Sequence, residues 1–311
     1  MKTLTKKLSF ECKWASYIAC LKSISDYLDL GHSTPWIYGT SGYAFIMNIH
    51  KELCPSGPTA FSQEPINSLA ANLGYDLYGT VFVKTDPGFK QKQKEAWEMT
   101  KLAIDNDLPT FGWELNIPEY YMIYGYDNEN YLFYDLDGKP MKKKWDTLGE
   151  TEIGVVSIFS GNPNNKEKSV NQILKETFEF TLKFAKKNKE WTFPLYENGL
   201  KAYEVWIDAL QQDKYLLFGL AYNAQVWAEC RANAFEFLKE AKQKLNTDIL
   251  DNLIEHYDVI SWSLQKVAKL FPMGIEKTDK ESVETAIDSL FLAKEAEKAA
   301  LAEMKHVLSQ L

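Results

Sequence analysis

The sequence predicts an α+β protein, with an antiparallel sheet packed against helices and an all-α region after it. Three observations lead there. Segments rich in aromatic and β-branched residues crowd between residues 108 and 160, separated by short Asn, Asp and Gly turns. Helical patterns precede them. Beyond the polar breaker Gly161-Asn162-Pro163-Asn164-Asn165-Lys166 the apolar period turns helical almost to the end, with few glycines and prolines. The breaker divides the chain into an expected α+β domain over 1–162 and a helical bundle domain over 166–311.

Trp14, Ile18, Leu21 and Leu28 follow helical spacing, and Asp29-Leu30-Gly31 closes that helix. A second helix is predicted over 42–53 after the turn Gly39-Thr40-Ser41, and a short one near 64–73. Residues 78–84 read as a strand, and 88–106 as an amphipathic helix turning Trp97, Leu102 and Ile104 inward. Strands are then expected over 108–113, 120–126, 131–135 and 151–160. In the second half, helices are expected near 170–187, 198–210, 215–244, 248–271 and 280–308. The last presents Ile287, Leu290, Phe291, Leu301, Met304 and Val307 as an apolar stripe, the pattern of a bundle helix.

The 311 residues, 45% hydrophobic and 25% charged, suffice for a sizeable core and roughly two domains. No stretch approaches the ~18 apolar residues of a membrane helix, and MKTLTKKLSFECKW lacks the apolar core of a secretory leader. No membrane association and a cytoplasmic location are the expectations. A formal charge of −8 with Arg231 as the only arginine argues against a nucleic-acid partner, because forked recognition of phosphates and guanine edges needs guanidinium groups. Lys142, Lys143 and Lys144 read as solvated surface. Cys12, Cys20, Cys54 and Cys230 form no CxxC pair, so free thiols are expected. No His/Cys cluster suggests a metal, no cofactor motif is present, and the DNEN and DLDG stretches are turns lacking a calcium-loop ligand series.

Cys12, in FECKWASYIACLKSI, is the residue with the most chemical interest. A thiol becomes a nucleophile when its pKa of ~8.5 is lowered, as at a helix N-terminus or beside a cation. Cys12 has the first aid if the helix begins near it; Lys13 adds positive charge and Glu11 opposes it. The competing reading is a buried small hydrophobe, which mid-helix Cys20 fits better. GTSG before a predicted helix reads as a tight turn with a Ser or Thr cap more simply than as a phosphate loop.

Three motifs in order give a family resemblance. They are Cys-x-x-Ala-Ser opening the first helix (Cys12, Ala15, Ser16), Tyr-Gly-x-x-Gly-Tyr-Ala-Phe over 38–45, and EYYMIYGYD over 119–127. The chain thereby resembles the papain-like fold, in its peptidase C39-like branch and the amino-terminal domain of the butirosin biosynthesis protein H family. The resemblance covers about the first 160 residues by motif. It implies a cysteine nucleophile attacking a thioester or amide, a strand-borne histidine as base, and an Asp or Asn orienting it. Cys12 falls on the nucleophile and Asp135 on the orienting residue. The histidine position holds Glu119.

The implied activity is acyl transfer or amide hydrolysis on a small molecule or a carrier-bound acyl group, with Trp14, Tyr38, Gly39, Trp113 and Tyr121 as substrate contacts. Three readings of Glu119 stay open. It acts as acid/base with a pKa raised by its aromatic surroundings (Trp113, Tyr120, Tyr121); or His32 or His50 reaches Cys12 instead; or the site binds a small molecule or peptide without turnover. His32 and His50 read first as exposed, and His256 and His306 lack ligand-like spacing. A scaffold role for the helical half and a homodimer are further open readings.

Overall fold

The computed structural model describes residues 1–311 except 12–13, 167 and 187–189. In chain order the elements are β1 (Lys2–Thr3), α1 (Ser16–Tyr27), α2 (Thr34–Thr40), β2 (Asn48–His50), α3 (Glu64–Ala70), β3 (Tyr75–Val83), α4 (Phe89–Asp105), β4 (Thr110–Trp113), β5 (Tyr120–Tyr126), β6 (Asn130–Tyr134), β7 (Pro140–Lys144) and β8 (Val155–Pro163). There follow α5 (Val170–Phe184), β9 (Tyr196–Asn198), α6 (Leu200–Gln211), α7 (Leu217–Leu245), α8 (Asp251–Leu270) and α9 (Lys280–Leu308). The protein is α+β, with a seven-stranded antiparallel sheet and a helical carboxy-terminal region.

The chain forms two compact units: Met1–His32 with Ala70–Glu167, and Ser33–Leu69 with Lys168–Leu311. This division differs from the contiguous domains expected over 1–162 and 166–311, because residues 33–69 belong with the helices. The cause is chemical. The predicted helix over 42–53 is a 3-10 turn at Tyr43–Phe45 and then strand β2, which pairs antiparallel with β9. Ala44, Phe45, Ile46 and Met47 are all buried, and a short run buried on every side carries no period to separate helix from strand. The helix lies earlier, at α2, where the Ser33 hydroxyl accepts from the Trp36 N–H at 3.0 Å and Pro35 occupies the first turn.

In the sheet unit the strand order is β3-β8-β4-β5-β6-β7, and β1 pairs with the far end of β5. Alternation sends Tyr121, Ile123, Tyr131, Phe133, Val156 and Ile158 to the face that α4 covers with Phe89, Ala96 and Trp97. Leu102, expected inward, is 64% exposed on α4. On the other face, the Tyr17 ring of α1 meets Phe111 at 5.5 Å and Tyr120 at 5.0 Å. Gly161 allows this approach, since a Cβ there would stand 2.5 Å from Ile24 Cγ2. As predicted, α1 closes at residues 28–31: Asp29 takes a positive φ of 56° and Leu30 N–H donates to Ser25. The three lysines form most of β7, an edge strand absent from the sequence reading.

In the helical unit, α8 packs with α7 and α9, α6 with α9, and α2 with α7. Phe291, assigned to the buried stripe of α9, is 45% exposed, whereas Leu290, Met304 and Val307 are buried. The centre of this unit holds Arg231, fully buried, whose Nε and Nη2 grip the Glu297 carboxylate at 2.9 and 3.0 Å. Its Nη1 donates to the carbonyls of Ala44 and Ile46, each at 2.8 Å. Tyr203 Oη donates to the same carboxylate at 3.1 Å.

Candidate active site

Glu119 ends the connection between β4 and β5. That connection is held by its own backbone: Glu114 N–H donates to Glu119 O at 2.8 Å, and Glu119 N–H to Ile117 O at 2.7 Å. Tyr121 Oη accepts from the Ile117 N–H at 3.2 Å. Glu114 has a positive φ of 58°, uncommon for a side chain with a Cβ, and its buried carboxylate accepts from the Thr151 hydroxyl at 2.8 Å. A non-glycine residue held in this conformation is a mark of a constrained loop.

The half-buried Glu119 carboxylate accepts a hydrogen bond from the hydroxyl of Ser16, the first residue of α1. The same hydroxyl accepts from Tyr120 N–H at 3.0 Å, which fixes its proton toward Glu119. Ala15 at the N-cap supplies no side-chain cap, and the amino end of α1 carries the positive end of the helix dipole, which is favourable to an anion. Cys12 lies outside the described residues, as does Lys13. The helix α1 begins at Ser16, four positions after Cys12 in the sequence. The residue at the helix start is Ser16.

The Trp113 and Tyr120 rings meet at 5.0 Å, tilted by 59°, and with Tyr17 and Phe111 they form an aromatic layer between α1 and the sheet. Burial pushes the Tyr120 phenol up to about 12, against the opposing effect of the Ser157 hydroxyl. Tyr121 faces the other way. Consecutive strand residues point to opposite sides, and its ring lies in the α4 core 5.4 Å from Phe133. Its described role is to hold the 114–119 loop, not to line a pocket with Tyr120. Trp14 is half-buried, two residues ahead of Ser16.

Asp135, the expected orienting partner, spends its carboxylate on the β6–β7 turn. Its Oδ1 accepts from the backbone N–H groups of Asp137 at 3.0 Å and Lys139 at 2.7 Å. His32, the sheet unit's only histidine, is half-buried and donates from Nε2 to the Leu73 carbonyl at 3.0 Å.

Tyr38 and Gly39 belong to the helical unit. Tyr38 Oη donates to Glu229 at 2.9 Å, and a Cβ on Gly39 would stand 2.0 Å from Phe237 Cγ. His50, also there, accepts on Nδ1 from Glu52 N–H at 3.1 Å and sits on β2, not on a helix. The YGTSGYAF segment thus packs within that unit. Gly42, at φ 77°, leaves space for the Phe180 ring, and Arg231 holds the carbonyls that follow.

Sequence reasoning missed Ser16 as a hydrogen-bonding partner and Glu114 altogether. The motif Cys-x-x-Ala-Ser contains Ser16, so a signal existed; nothing local marks Glu114, because its conformation depends on the loop's closure onto Glu119 and Thr151. Among the described residues no group of three His, Cys, Asp or Glu side chains is placed to hold a metal ion, and no helix is long and apolar enough to cross a membrane. Compared with known proteins, the chain matches no protein-family model and no curated sequence.

Proposed function

We propose that the protein is a papain-like-fold acyltransferase or amidase acting on a small molecule or carrier-bound acyl group, with Cys12 as nucleophile and Glu119 as its proton acceptor. One observation carries this reading: Glu119, at the position where the resembled family has histidine, meets the first residue of the helix that follows Cys12. The Ser16 hydroxyl donates to the carboxylate, so Glu119 is held as an acceptor beside the amino end of α1.

In the proposed cycle the Cys12 sulfur attacks the acyl carbonyl while its proton passes to Glu119. The C–S or C–N bond to the leaving group breaks, and Glu119 returns the proton to that thiol or amine. An acceptor amine, or water, then attacks the Cys12 thioester, giving its proton to Glu119, which reprotonates the departing Cys12 thiolate.

The experiment is incubation with a panel of acyl thioesters followed by intact mass. An adduct that disappears in Cys12→Ala supports the proposal; a wild-type protein that stays unmodified across the panel overturns it. A second reading has its own observation. Ser16 supplies a fixed donor to Glu119, an arrangement that suits a binding site retaining the fold without turnover. That reading requires Cys12→Ala to leave ligand affinity unchanged.

A further inference from the structure

The two edges of the seven-stranded sheet are built differently. On β7 the strand begins with a proline and carries Lys142, Lys143 and Lys144, with Lys142 paired to Asp127 and Lys144 to Glu129. Proline and lysine are the usual devices that keep an edge from pairing with another chain. The β3 edge has neither. Between Asp76 and Lys84 it reads LYGTVFV without a charge, and Tyr78, Val81 and Val83 are 59%, 57% and 38% exposed.

The hydrogen-bond phase of β3 tells which backbone groups face outward. Lys84 N–H donates to Gly154 O at 2.7 Å, Asn164 N–H donates to Gly74 O at 2.9 Å, and the register between them is unbroken. Even-numbered residues therefore bond to β8, and Leu77, Gly79 and Val81 turn their N–H and C=O groups to the open side. Val83, also outward, is taken by the following turn: its N–H donates to Asp86 Oδ2 at 3.3 Å and its carbonyl accepts from Asp86 N–H at 2.9 Å. No hydrogen bond reaches the outward groups of Leu77, Gly79 and Val81 among the described residues.

We infer that this edge pairs with β3 of a second copy of the chain, antiparallel about a two-fold axis at Gly79, joining two sheets into one. The outward triplet is its own complement. Leu77 stands opposite Val81 of the second copy and Gly79 opposite its equivalent, each pair exchanging both N–H···O bonds. Charge agrees with this register. Asp76 and Lys84 bracket the triplet on the same face, and centring on Gly79 makes each Asp76 a diagonal neighbour of Lys84 of the second copy. A parallel pairing would instead set like against like. The tyrosine and valines of the exposed edge then lose water contact across the junction. The inference is independent of the acyl-transfer reading.

Sedimentation velocity on the full chain, from low to high micromolar concentration, tests it. Val81→Pro removes an N–H that faces solvent in the single copy, a substitution an edge strand tolerates, and Val81→Lys places a charge in the junction. Each is expected to weaken self-association by at least about tenfold. Both variants are checked for native circular dichroism, and only the folded ones are scored. In the wild type the amides of Leu77, Gly79 and Val81 gain hydrogen-exchange protection as concentration rises. A chain that stays monomeric throughout overturns the inference, as does a dimer that folded Val81→Pro and Val81→Lys leave intact or one that forms without protecting those three amides.

Discussion

Two glutamates, one in each unit, show how differently this chain treats a carboxylate. Glu297 is 2% exposed and is met by a forked guanidinium and a phenol, so a full countercharge and fixed donors replace the water it lost. Glu119 is half-buried and meets the Ser16 hydroxyl at the amino end of a helix, a neutral donor beside a partial positive charge. The first arrangement fastens the turn at residues 44–46 to a distant helix. The second leaves a carboxylate half-buried at the end of a loop. Full burial of a carboxylate is met here by a countercharge, and half-burial by a hydroxyl donor among its partners.

The comparison breaks most readily at Arg231. Arg231→Met leaves Glu297 buried without its cation, and an expected loss of ~3–5 kcal/mol should appear as a lowered denaturation midpoint. Arg231→Met combined with Glu297→Leu should recover only part of it, because the carbonyls of Ala44 and Ile46 still lack their donor. Full loss in the double variant would mean that those carbonyls, not the ion pair, dominate.

Next in size is Gly39→Ala, whose added methyl collides with the Phe237 ring and should cost about 1–3 kcal/mol. This sharpens the role of YGTSGYAF. If the segment serves the packing of the helical unit, the substitution lowers stability, while a substrate role would show as lost binding at unchanged stability.

In the sheet unit the aromatic layer beside Glu119 makes a pH-dependent contribution. Burial raises the folded pKa of Tyr120 to about 12, above an unfolded value of about 10. The stability it contributes is therefore complete below pH 10 and lost as pH rises from about 10 to about 12. Tyr120→Phe should flatten part of that alkaline decline in urea titrations; the remainder comes from other buried phenols such as Tyr17 and Tyr75, which burial also raises.

The smallest stability effect is expected at the candidate site. Ser16→Ala should cost only about 0.5–1.5 kcal/mol by denaturant unfolding, as for an ordinary hydrogen bond. A loss as large as that of Arg231→Met would place Glu119 among the structural carboxylates and remove the contrast between the two units.

The α+β class and the long helices could be read from the sequence because period and length are local properties. Over 42–53 that logic failed: the run from Ala44 to Met47 is buried on all sides, and its partner strand is Tyr196–Asn198, far along the chain. Leu102 and Phe291 were placed inward as members of an apolar helical pattern, yet apolar residues also populate surfaces. Glu119 was singled out through its motif, while the helix start could not be placed to within four residues, and Cys12 lies outside the described residues. Asp135 matched by order only; the turn it caps is formed with Asp137 and Lys139, close enough to have been read as an Asx turn.

The measurement that bears most directly on the proposed pairing of Cys12 with Glu119 compares two reactions in Glu119→Gln and wild type. A nearby anion raises a thiol's pKa, so removing its charge should speed alkylation of Cys12 by iodoacetamide at neutral pH, followed by peptide mass mapping. Loss of the base should at the same time slow acylation of Cys12 by a thioester. Opposite changes in the two rates are the expected result. Unchanged rates in both reactions would contradict the pairing.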